Sequence, residues 1–363
     1  MKMFYLRKLF LLYAIFCLYF NLTLPDAQPS DTNVLVKIGE IYENFSKEEA
    51  DYFWHIDDIC CDDEGNLYVA DAGWNKIFKF DSKGNYITSF GREGQGPGEF
   101  LAKPRMYRLA ITYGNDGFIY VLDSGNRRIT KFSKNGEFKG QFKPSSFVYD
   151  DSLVVNSRGE IFLISKYGDY VVNVYNKEFK LLNSILPRKI FYKYKFYKEP
   201  ERFSKAINHL KLKKVISKKD HIFILSNISL RIYHYDEKIN LVKKFEIKNK
   251  KFEEDYKKGL KESLSKGRYR VAFHEFLSDN NENLYLFYFN SSIKKEEIYI
   301  FRKNGSFVSC IEVPNTTDGI YCINNIKNIY AVLSNTKIII YKKKKQQVDQ
   351  NKIFKKFNLR SQK

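Results

Sequence analysis

A chain of 363 residues with a formal net charge of +20 has room for a leader and one domain, and none for a second domain of size. Only 14 of the 62 basic residues are arginine, and the lysine excess accompanies abundant Asn, Ile, Phe and Tyr, as an AT-rich genome imposes. Nucleic-acid readers favour arginine forks and stacking aromatics over dispersed lysine, so a nucleic-acid partner is disfavoured.

Residues 1–27 read as a signal peptide or N-terminal anchor. Lys2, Arg7 and Lys8 precede the uncharged run from Leu9 to Phe20, the pattern of a secretory leader. Pro25 and Ala27 make a poor cleavage pair, so an uncleaved anchor stays open and is the one membrane contact expected. The expected location is secreted or periplasmic. Cys17, behind Ala14-Ile15-Phe16, reads as part of the apolar run.

A lone strand pattern follows at Val34 to Gly39. From Asp57 to Phe90 four short apolar runs then alternate with turns, two of them Asp62-Asp63-Glu64-Gly65-Asn66 and Asp81-Ser82-Lys83-Gly84-Asn85. A four-stranded meander of this size cannot bury its own faces, so it predicts further copies. A second-strand aromatic recurs at Tyr68, Tyr120, Phe162, Phe223, Tyr285 and Tyr330. A third-strand aromatic follows each, at Phe80, Phe132, Tyr175, Tyr235, Phe301 and Tyr341, with spacings of 12, 12, 13, 12, 16 and 11 residues. The predicted fold is an all-β, six-bladed β-propeller over residues 33–345 with four-stranded antiparallel blades. The sixth copy lacks its fourth strand, and Val34 to Ile38 is expected to supply it and close the ring. Residues 346–363 read as a basic polar tail.

Two stretches of this pattern resemble a known family. Asn66 to Ile77 and Phe118 to Ile129 resemble NHL repeats. Gly91 to Phe100 resembles the glycine-rich connector of secreted bacterial six-bladed propellers of that kind. The resemblance covers residues 54–142. Later blades lose the Asp-x-Gly-Asn-x-Arg turn, which Ser165-Lys166-Tyr167-Gly168 replaces in blade 3, so a ligand site repeated in every blade is not expected. The connector lacks the Lys-Ser/Thr ending of a phosphate loop.

Blades 3 to 5 carry two insertions predicted as short helices. One spans Arg188 to Lys214, is rich in basic residues and has an apolar stripe at Phe203, Ile207 and Leu210. The other has a stripe at Phe252, Tyr256, Leu260 and Leu264. Both should emerge on the face that carries the loops between second and third strands. After the leader, Cys60, Cys61, Cys310 and Cys322 remain. Cys60 and Cys322 occupy equivalent inner-strand positions of neighbouring blades, and buried free thiols are expected over a bridge between them.

The functional expectation is a monomeric, non-catalytic binding module that uses its loop-rich face for a protein, peptide or glycan. Trp74, Arg127 and Arg128 are the candidate ligand contacts, since Trp and Arg dominate binding hot spots. Asp71 and Asp123 are expected to brace their own turns. No catalytic residue, cofactor or metal ligand is assigned. The alternative is a propeller-type lyase or hydrolase with a metal near the central axis. Its ligands would have to come from acidic residues and from His55, His209, His221, His234 and His274, which show no repeated placement.

Overall fold

The computed structural model describes residues 32–41, 52–144, 153–164, 169–193, 212–226, 230–247, 249–250, 252–254, 258, 273–290, 295–313, 321–324, 329–334 and 337–346. The leader, most of both insertions and the C-terminal tail lie outside them. Leu35–Lys344 forms one compact unit, and only the ends of two strands are described from the rest of the chain.

Strand β1 (Thr32–Ile41) is followed by blade 1, made of β2 (Ile56–Cys61), β3 (Leu67–Asp71), β4 (Lys76–Phe80) and β5 (Tyr86–Phe90). Blade 2 is β6 (Leu109–Tyr113), β7 (Ile119–Asp123), β8 (Arg128–Phe132) and β9 (Phe138–Phe142). Blade 3 is β10 (Leu153–Val155), β11 (Ile161–Ile164), β12 (Tyr170–Tyr175) and β13 (Leu181–Pro187). Blade 4 is β14 (Leu212–Ile216), β15 (Ile222–Ser226), β16 (Arg231–Tyr235) and β17 (Leu241–Glu246). Blade 5 is β18 (Phe273–Ser278), β19 (Leu284–Asn290), β20 (Lys295–Phe301) and β21 (Phe307–Glu312). Blade 6 takes β22 (Tyr321–Asn324), β23 (Ile329–Ser334) and β24 (Lys337–Gln346) from the C-terminal end, and β1 pairs with β24 as its outer strand. The first strands touch in cyclic order, β2 to β6, β10, β14, β18, β22 and back to β2, so the ring is closed. The sequence expectation of six four-stranded blades sealed by the N-terminal strand holds.

The turns opposite the loop-rich face explain why the meanders fold. Asp62 Oδ1 accepts the amides of Glu64 and Asn66 at 3.0 and 2.9 Å, and Asn66 Nδ2 donates to its Oδ2 at 2.9 Å. Asp81, Asp236 and Asp279 repeat the arrangement with Asn85, Asn240 and Asn283. The fourth turn position needs a positive φ. Gly65 supplies 89° at no steric cost, whereas β-branched Ile239 is held at 66° in the more divergent blade 4.

The core lies between blades. Tyr68 packs with Leu109, Ile111 and Phe132 of blade 2, and Phe162 packs with Ile222 and Ile224 of blade 4. Phe223 meets Phe276 and Leu284 of blade 5, while Tyr285 meets Ile339 and Tyr341 of blade 6. Tyr68, Tyr120, Phe162, Phe223 and Tyr285 are all buried, as the repeat register requires. The side chain of Tyr330 lies outside the described residues.

Two expectations are revised. The described start of the first insertion, Arg188–Lys193, is a 3₁₀ turn, and Phe203, Ile207 and Leu210 lie outside the described residues. In the second, Asn249 caps a helical start by accepting the Phe252 amide at 2.9 Å. Phe252 is buried against Tyr288 and Tyr299, and Tyr256, Leu260 and Leu264 fall outside the description. Of the thiols, Cys60 is free, as expected, whereas Cys61, for which no bridge was expected, is disulfide-bonded. Cys61 lies one residue along β2 from Cys60.

Candidate functional site

Two Asp-led turns build the loop-rich face of blades 1 and 2. Asp71 Oδ1 accepts the amides of Gly73, Trp74 and His55, and its Oδ2 accepts the amide of Trp54 at 2.8 Å. Burial still pushes its pKa up against these bonds. Asp123 does the same in blade 2, accepting the Asn126 amide and side chain and the Leu101 amide. Both aspartates brace their turns as expected. They also hold the segment entering the inner strand, which makes Trp54 in blade 1 the counterpart of Leu101 in blade 2.

That equivalence reveals a feature the sequence reading missed. Trp74 stands where blade 2 has Asn126, and Trp54 stands where blade 2 has Leu101. The two indoles meet edge to face at 5.6 Å, and Tyr52 also meets Trp74 edge to face, at 5.3 Å. Trp74 is half-buried against the core that includes Ile41 and Phe53, and its Nε1 donates to the Tyr52 carbonyl at 3.0 Å. The outward rings are Trp54 at 57 % exposure and Tyr52 at 46 %. Gly73 lies under the Trp54 indole so closely that a Cβ there would come within 2.5 Å of the ring. Trp54 is thus exposed and fixed.

The two arginines separate. Arg127 is exposed on the turn with a positive φ of 53°. Arg128, expected beside it as a ligand contact, is buried at 3 % exposure and faces the connector instead. Its guanidinium donates to the carbonyls of Gln95, Gly96 and Glu99, each at 2.7 Å, and its Nε lies 3.9 Å from the Asp123 carboxylate. The connector is further closed by Glu99, which accepts the Gly96 amide and pairs with Arg92. The glycine-rich run is therefore a structural strap wrapped on a buried cation.

Carboxylates on β2 bridge the open edges of neighbouring inner strands. Asp57 accepts the Leu109 amide at 2.8 Å and Asp58 accepts the Ile111 amide at 2.9 Å. Burial, with Glu275 of blade 5 adding a like charge, pushes the Asp58 pKa up to about 7. An acid raised above its unfolded value keeps a proton that the unfolded chain has lost. Stability therefore falls as pH rises from about 4 to about 7, then levels off. Asp58→Asn keeps an acceptor for the Ile111 amide. It should flatten this fall and be more stable than the parent at pH about 8, by on the order of a few kcal/mol. Urea unfolding across pH tests this, and an unchanged slope in the variant would place the titration elsewhere.

On the opposite face, described polar side chains bond within the ring. Asn115 Nδ2 donates to the Ser217 carbonyl at 2.7 Å and to Asp220 Oδ1 at 2.8 Å, and Asp220 also accepts the Ser157 amide and hydroxyl. Lys134 and Lys218 lie over the Tyr113 ring, and Lys134 pairs with Asp63 and Glu64. Near blade 5, Glu282 is held by His221 at 2.6 Å and Lys303 at 2.6 Å, while His234 stacks on Phe223 and burial lowers its pKa. Among the described residues no three His, Cys, Asp or Glu side chains converge as a metal site. No described helix is long and apolar enough to cross a membrane.

A closed ring of six four-stranded antiparallel blades defines a six-bladed β-propeller protein. The 6-bladed beta-propeller family DUF5128 matches residues 49–292, more than half of the chain, and the chain belongs to that family. Among solved structures, it resembles a Bacteroides fragilis protein described by inference as exported. The identity is 12%, the TM-score is 0.55, and the match covers 89% of this chain and 98% of that one. A member of the duf4221 family from Bacteroides vulgatus is 9% identical, with TM-score 0.54 and coverage of 88% and 100%. A virginiamycin B lyase from Staphylococcus aureus is 12% identical, with TM-score 0.46 and coverage of 87% and 90%, too loose a likeness to carry an argument. At these identities the structures speak to the fold alone. No curated protein matches the chain.

Proposed function

We propose that this protein is an exported, NHL-like propeller that acts as a binding module, presenting the loop-rich face of blades 1 and 2 to a ligand. The observation that carries this reading is the fixed, exposed aromatic cluster of Tyr52, Trp54 and Trp74. An exposed Trp held in one position by its scaffold has no folding role that requires its outward ring, and aromatics of this kind anchor binding surfaces. Arg127, exposed on the adjacent turn, belongs to the same surface, whereas Arg128 supports it from beneath. The leader-like segment at residues 1–27 supports export.

The test is a comparison of wild type with Trp54→Ala/Arg127→Ala on peptide and glycan arrays. The expected result is loss of the wild-type signals in a variant whose melting temperature is nearly unchanged, since exposed substitutions typically change stability by only about 0.5 kcal/mol. Retained signals would place the binding surface elsewhere. Asp58 in the ring interior favours a second reading, a proton-transferring enzyme, because a carboxyl group titrating near 7 suits a general acid or base. Its existing bond to the Ile111 amide gives it a structural task, and the aromatic face is the stronger observation.

A further inference from the structure

We propose that the Tyr52–Trp54–Trp74 cluster is a saccharide-binding subsite, on which the apolar face of a pyranose ring stacks against the Trp54 indole. This rests on the reading of the loop-rich face as the binding surface and gives that surface its ligand class. The first argument is pre-organisation. The Trp54 backbone is pinned by Asp71, its ring lies over Gly73, and Trp74 meets its edge. A ring already fixed loses little side-chain freedom when a ligand stacks on it.

The second argument is size. A stable protein partner buries about 800 Å² on each side, around a contiguous apolar centre. On this face, the only other exposed large apolar side chains among the described residues are Met106, on a loop, and Tyr170, at the start of β12. Two exposed rings and one half-buried ring suit one or two sugar rings.

The third argument is the polar rim. The His55 side chain follows Trp54 directly, is 35% exposed, and has its Nε2 3.6 Å from Asp57 Oδ1. An imidazole one residue along the chain from a stacking ring can serve sugar hydroxyls as donor or acceptor. An apolar platform with a few placed polar groups is the usual composition of a small-ligand site.

The chain contains two tryptophans, and both are in the cluster, so tryptophan fluorescence, excited selectively over the 27 tyrosines, reports on this site alone. The full protein is titrated with cellohexaose, chitohexaose, xylohexaose and hexagalacturonic acid, following tryptophan emission and acrylamide quenching, with affinities from calorimetry. At least one sugar should shift the emission and shield the tryptophans. Trp54→Ala should weaken that sugar about tenfold or more, and Trp54→Tyr should keep part of the affinity. If none of the four changes emission or quenching at millimolar concentration, or if a sugar binds Trp54→Ala as tightly as wild type, the proposal is overturned. A phage-displayed heptapeptide library separates the binding surface from its ligand class. Peptides that bind wild type and are lost in Trp54→Ala would keep the site and remove the saccharide. No response to sugars or peptides would remove both.

Discussion

Replacing Arg128 with alanine is expected to destabilise the protein by about 3–5 kcal/mol, the cost of breaking a buried, paired charge from one side. The guanidinium is 3 % exposed and holds three connector carbonyls at 2.7 Å. Its removal leaves those carbonyls and the fully buried Asp123 without their cation. The strap from Gly91 to Phe100 would then lose what fixes it to blade 2. Arg128→Lys should recover only part of the loss, because one ammonium cannot reach three divergent carbonyls as a planar fork does. Arg127→Ala, one residue away on the exposed side of the same turn, should lie within about 0.5 kcal/mol of wild type. Urea unfolding of the three variants tests the contrast, and equal effects at the two positions would contradict the assignment of Arg128 to the strap.

Deleting residues 33–40 should have the second large effect, a loss of at least about 5 kcal/mol. The segment carries most of β1, the outer strand of blade 6, and buries Leu35 against Tyr285 and Ile339. It also ends one residue before Ile41, which packs with Ile338 and Ile340 between blades 6 and 1. Without β1, strand β24 becomes an exposed edge with unpaired amides, so the truncated protein should aggregate as well as melt earlier. A truncated chain that stays monomeric and melts with the parent would show that the ring does not depend on this closure.

The architecture was legible because it rests on local rules repeated six times. Alternation marked the strands, Asp-x-x-Gly-Asn marked the turns of blade 1, and the aromatic anchors fixed the register, down to the blade that lacked a strand. The site was less legible. Arg127 and Arg128 are adjacent in sequence, but the positive φ at Arg127 aims one outward and the next inward, toward a strap that reaches it from some thirty residues earlier. Trp54 was missed because it precedes the first strand and has no counterpart in the strand register. Its equivalence with Leu101 rests on which amides Asp71 and Asp123 hold. The bridging role of Asp58 depends on two blades meeting, which no single repeat encodes.

The most direct test of the account is the tryptophan emission of the free protein, with acrylamide as quencher. The account predicts a solvent-exposed, quenchable component from Trp54 that disappears in Trp54→Phe, leaving the blue-shifted, protected emission of half-buried Trp74. Two protected tryptophans in the wild type, with emission unchanged in kind by Trp54→Phe, would mean that the aromatic face is covered, and would contradict it.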